Sequence, residues 1–175
     1  SSGDLVRCAE DHELVIQLAR EIGQAALERM ATYNLAEARL WHGSLDEALR
    51  LARRSEAVQR AHGEGAAHFD QILIARILAA RGDNAELAMM LNVLSRTPLA
   101  VADQITVDVL GCAARRAEAA EWDLALSAAE RELGDDLKLE LAHLAARRGR
   151  LGDPHRALAA ERARTHPIWV RQISA

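Results

Sequence analysis

The stretch Asn34-Leu35-Ala36-Glu37-Ala38-Arg39-Leu40-Trp41-His42-Gly43-Ser44-Leu45-Asp46-Glu47-Ala48-Leu49 decides how the rest of the chain is read. Its apolar residues keep helical spacing up to Trp41, stop at His42-Gly43-Ser44, and resume the same period from Leu45. A glycine between two such runs ends one helix, and Ser44 with Glu47 has the spacing that caps the next. The stretch therefore predicts a helix, a glycine turn and a second helix.

The same pattern returns along the chain, which marks an internal repeat. Ile74-Ala75-Arg76-Ile77-Leu78-Ala79-Ala80-Arg81-Gly82-Asp83-Asn84-Ala85-Glu86-Leu87 repeats it, as does Leu144-Ala145-Ala146-Arg147-Arg148-Gly149-Arg150-Leu151-Gly152-Asp153-Pro154-His155-Arg156-Ala157-Leu158. A weaker copy runs from Cys112-Ala113 to Ala120-Glu121-Trp122-Asp123-Leu124-Ala125-Leu126, and Gly3-Asp4-Leu5 resembles the turn alone. Turn positions at Gly3, Gly43, Gly82, Ala120 and Gly152 are spaced 40, 39, 38 and 32 residues apart. Capping residues add boundaries: Asp83 with Glu86 reads as a second capping box, and Thr97-Pro98 and Asp153-Pro154 as N-cap and first-turn pairs. Nine helices are predicted, near 4–22, 25–42, 45–61, 66–81, 84–95, 98–119, 121–133, 136–148 and 154–165. Residues 1–166 are read as one repeat domain, and 167–175 as a tail or the start of a further helix.

Composition agrees with helices and narrows function. Half of the 175 residues are apolar, enough for a continuous core, while aromatic residues are only 3%. Ala and Leu dominate, and they favour helices that approach closely. The formal charge of −4 offers no general field for nucleic acid. The arginines at 147, 148, 150, 156, 162 and 164 are a local exception, read as a solvated helix surface because no aromatic interleaves with them. No apolar run is long enough for a membrane span, the start lacks a signal-peptide pattern, and a cytoplasmic location is expected. Cys8 and Cys112 lie far apart in helical patterns and are expected to be buried free thiols.

Small residues at Ala36, Ala48 and Ala52, with Leu35, Leu45 and Leu49 between them, recur in order about the glycine turn. In this the chain resembles the tetratricopeptide repeat family, in the divergent long-repeat type found in multidomain bacterial regulators, from about Gly3 to Arg164. It departs from the family pattern at the third turn, which lacks glycine, at the short fourth repeat, and at Leu45, Asn84 and Pro154, where an aromatic is usual. The resemblance implies an all-α fold: a right-handed superhelical stack of antiparallel helix pairs, an α-solenoid whose concave face is lined by the first helix of each pair. Projected onto this chain, that face takes Met30, Tyr33, Glu37, Leu40 and Trp41 from one repeat and Phe69, Ile72 and Arg76 from the next. The only Tyr, the only Phe and one of three Trp fall there, at helical spacing. Two readings stay open: a groove for a peptide, whose hot spots favour aromatics and Arg, or an apolar stripe that packs into the core. The corresponding positions further on, Val107, Leu110, Ala114, Leu139, Ala142 and Ala146, give a smooth uncharged surface. Arg76 alone does not make the basic clamp by which some members of the family hold a terminal carboxylate.

Motifs for catalysis are missing. The seven histidines form no His-x-x-x-His pair, there is no Cys-x-x-Cys, and no glycine-rich phosphate loop or nucleophile elbow occurs. Gly63-Glu64-Gly65 reads as a connection between helices. Asp135-Asp136 sits where a helix starts and opposes its dipole. No enzyme, cofactor or metal site is expected. The expected function is a protein–protein interaction scaffold, part of a larger bacterial signalling or regulatory protein. Its partner would be a protein or peptide held on the concave face, with no direct contact to nucleic acid or membrane. Contact with other domains of the parent chain is a further option. Two alternatives remain: a structural spacer or self-association unit, and a regulatory domain that senses a small ligand.

Overall fold

The structure is a computed structural model that describes residues 2–62 and 68–164, with side chains described for 11–62, 68–162 and 164. Every regular element among them is an α-helix: α1 (Ser2–Glu21), α2 (Ala25–Trp41), α3 (Leu45–His62), α4 (His68–Arg81), α5 (Asn84–Leu94), α6 (Val101–Arg115), α7 (Ala119–Glu132), α8 (Asp135–Arg147) and α9 (Asp153–Ala163). The all-α expectation and the count of nine hold for these residues. The chain divides into two compact units, 1–81 and 82–175.

In the first unit each helix packs on the next, and α2 also touches α4. Ala36, Ala48 and Ala52 are wholly buried, so the predicted small-residue positions are those at which helix backbones approach. Leu35, Leu49 and Leu51 fill the space around them, and Ile16 and Ala19 bring α1 onto the same core. Helix α4 is buried without a break from Ile72 to Ala79. A helix apolar all round needs neighbours on several sides, and α2 and α3 supply two of them. The turn after α2 is made by Gly43 at φ +80, a left-handed backbone that other residues adopt only with strain.

The second unit repeats the scheme with α5 to α9, each packed on the next and α6 also on α8. Its centre is Trp122, Leu110, Leu139, Leu141 and Val109, with Leu87 and Leu94 buried from α5. Cys112 is buried, as expected.

Several predicted boundaries move. Gly3 lies inside α1 and forms no turn. The third turn is not at Ala120, which is helical; it is at Arg116, the one non-glycine residue with positive φ among those described. The fourth turn glycine is Gly149 at φ +64, whereas Gly152 is the extended N-cap of α9. With these corrections the turns fall at 82, 116 and 149, and the last two intervals are 34 and 33 residues. Helix α6 begins at Val101, after an extended Ala100, so Thr97-Pro98 lies in the connection and does not open the helix. Asp83 is the N-cap of α5 but makes no side-chain capping bond. The reciprocal capping box forms at α7, between Glu118 and Glu121. Pro154 is in the first turn of α9 as predicted, with Asp153 already helical. The connection at 63–65 and the tail 167–175 lie outside the described residues, as does the side chain of Cys8.

Candidate functional site: the shared face of α2 and α4

Four of the α2 residues selected from the sequence, Met30, Tyr33, Glu37 and Trp41, are three, four and four positions apart, so they follow one stripe of the helix. Phe69, Ile72 and Arg76 follow another on α4. The two stripes meet at an ion pair: the Arg76 guanidinium lies 2.6 Å from the Glu37 carboxylate, although the two residues are 39 apart in sequence. Arg76 is buried and Glu37 half-buried. Arg76 is therefore already engaged by a carboxylate of its own chain.

Exposure sorts the remaining candidates. Phe69 and Met30 are 47% and 53% exposed. Tyr33 and Trp41 are half-buried, while Leu40 and Ile72 belong to the core. A helix stripe pairing exposed Met and Phe with two half-buried aromatics has apolar area left for a partner, because these side chains are large and only partly covered by their own chain. The corresponding positions in the second unit do not form the smooth surface expected of them. Val107, Leu110, Leu139 and Ala142 are buried, since α6 packs against both α7 and α8 there.

Beneath the α2–α4 face lies a polar cluster that was not singled out from the sequence. Asp70 is wholly buried; it accepts a hydrogen bond of 2.6 Å from the Ser55 hydroxyl and one of 3.0 Å from Arg29. Thr32, also buried, donates to the Glu28 carbonyl one turn earlier. A buried carboxylate is tolerated when paired and hydrogen-bonded, and this one joins α2, α3 and α4 through directional contacts. Its signal was present in the sequence: Asp70 shares its helical phase with Leu73 and Ile77, and Ser55 with Ala48 and Ala52. Polar residues at core phase mark such a network, but they do not reveal that the two will meet.

Charge also ties α1, α2 and α3 together. Glu28 receives Arg20 at 2.7 Å and Arg54 at 3.1 Å. Burial opposes its ionisation, but the hydrogen bonds and positive charges of the two arginines outweigh that and hold its pKa below the ordinary 4.5. Among the described residues no group of three or more His, Cys, Asp or Glu side chains is placed to hold a metal ion. No described helix is long and apolar enough to cross a membrane. Comparison with family models, with curated proteins and with solved structures gives no match.

Proposed function

We propose that the chain is a protein-interaction module of the tetratricopeptide type, part of a larger bacterial signalling or regulatory protein of the cytoplasm, that takes a peptide or helix against α2 and α4. The observation that carries this reading is the exposure of Phe69 and Met30 on the two stripes joined by the Glu37–Arg76 ion pair. The ion pair fixes the polar floor of the face, and the apolar side chains beside it would be covered only when a partner lies across them. Intervals of 34 and 33 residues between the last turns support the repeat assignment, since the standard repeat is about 34 residues long. No catalytic role is proposed; the charged groups of this face, Glu37 and Arg76, are held by each other.

Selection of displayed random peptides against the folded chain tests the proposal. The expected ligands carry an apolar anchor, and Met30→Ala with Phe69→Ala weakens them by about tenfold or more, as loss of two hot-spot contacts would. Leu124→Ala, which removes a more exposed apolar side chain elsewhere, leaves them unchanged. Ligands indifferent to the double variant, or bound through Leu124, would contradict the assignment of the face.

A further inference from the structure

Helix α1 is apolar on two opposite sides. Ile16 and Ala19 are buried where α1 packs on α2, whereas Leu14, Leu18 and Ile22 are 55%, 47% and 66% exposed. Leu14 and Leu18, two positions either side of Ile16, stand about 160° from it around the helix. Single exposed leucines are ordinary on a protein surface. Three large aliphatic side chains spaced four apart make one continuous stripe, and a helix that is apolar on both sides calls for neighbours on both.

Charge says what kind of neighbour fits. Asp11 lies three positions before Leu14 and Glu21 three after Leu18, so two exposed carboxylates close the ends of the stripe, about 15 Å apart along the axis. The Gln17 amide donates to Glu21 at 3.0 Å, which orients that carboxylate and leaves its charge in place. Arg20, its neighbour in sequence, is engaged elsewhere, 2.7 Å from Glu28. Arg39, which reaches α1 from α2, meets Glu13 at 3.1 Å. Among the described residues Asp11 and Glu21 thus meet no cationic side chain.

The same two charges argue against other occupants. A second copy of α1 laid along the stripe, in either direction, sets four carboxylates at one seam, and like charges brought together disfavour such pairing. A bilayer surface carries negative charge and is opposed by the same pair.

We propose that the outer face of α1 takes a cationic amphipathic helix of a separate protein. The apolar side of that helix lies on Leu14, Leu18 and Ile22, and two Lys or Arg about ten positions apart meet Asp11 and Glu21. This surface is on a different helix from the α2–α4 face and does not depend on a peptide being bound there.

A labelled synthetic helix tests the assignment, with leucines at every fourth position along one side and a lysine at each end of that row. Its control carries glutamate in place of both lysines. Fluorescence anisotropy against the full chain is expected to show saturable binding of the lysine peptide, weakened about tenfold or more by the glutamate exchange. On the protein, Asp11→Asn with Glu21→Gln, and separately Leu18→Ser, should each weaken it about tenfold or more. All three positions are exposed, so an unchanged urea midpoint is expected in both variants. Met30→Ala with Phe69→Ala, which acts on the other face, should leave this binding unchanged. Absence of saturable binding, equal affinity for the two peptides, or full affinity in both α1 variants would overturn the proposal. Self-association of the chain that Leu18→Ser abolishes, read by sedimentation, would make the occupant a second copy and would overturn it as well.

Discussion

The two units differ in what holds their interiors together. In the first, ion pairs are drawn inward: Asp70 is wholly buried and answered by Arg29 and Ser55, Arg76 is buried against Glu37, and Glu28 is gripped by two arginines. In the second, the largest fully buried side chain is Trp122, and Leu110, Leu139 and Leu141 are buried with it. Paired charge inside a helical stack fixes which helix meets which, because a carboxylate without its partner is costly there. The same kind of sequence, alanine and leucine at helical spacing with scattered arginines, thus yields one unit cross-linked by a buried carboxylate and one centred on an indole.

The contrast is tested first at Trp122 and Trp41. Trp122→Ala should cost about 4 kcal/mol in urea unfolding, because the indole is 99% enclosed and the cavity left behind cannot close. Trp41→Ala, at a half-buried position, should cost about 1–2 kcal/mol. Equal losses would mean that Trp41 is core and that the α2 stripe has little area to offer a partner. The charges come next. Asp70→Ala should cost about 3 kcal/mol, toward the lower end for a broken buried pair since Arg29 reaches water. Glu130→Ala in the second unit, which removes the partner of Arg162 at 2.6 Å, should cost about 1 kcal/mol, as both side chains are partly exposed. If the two cost the same, the buried network is not what distinguishes the first unit.

The smallest effect is on pH dependence. Glu28 has a folded-state pKa below its unfolded value, so its stabilisation is present above pH 4.5 and is lost as pH falls from there through the folded pKa. Glu28→Gln should flatten the acid side of the stability profile below about pH 5 and leave neutral pH little changed. An unchanged acid slope would remove Glu28 from the charge lacing of α1, α2 and α3.

Legibility in the sequence followed the periodicity of each feature. Helix content, the turns at Gly43 and Gly82 and the burial of Ala36, Ala48 and Ala52 were readable because each repeats at a fixed interval. The turn at Arg116 was hidden, since nothing local marks an arginine for a left-handed backbone, and the repeat pattern alone puts the turn at Ala120 four residues later. Thr97-Pro98 misled for a related reason: proline suits a first turn but also the extended connection that precedes α6. On the candidate face, the stripe through Met30, Tyr33, Glu37 and Trp41 came from projecting the repeat resemblance onto this chain, with helical spacing putting the four on one line. Its tie to α4 was not legible, because the Glu37–Arg76 pair spans a whole repeat.

The central claim, that α2 and α4 present a peptide-binding face, is tested most directly by the footprint of a selected peptide on the backbone amides of the folded chain, read by NMR. The account predicts shift changes concentrated at Met30, Tyr33, Glu37, Trp41, Phe69 and Arg76, with α7 to α9 silent. A footprint centred outside α2 and α4, or peptides that bind without disturbing Phe69, would contradict it.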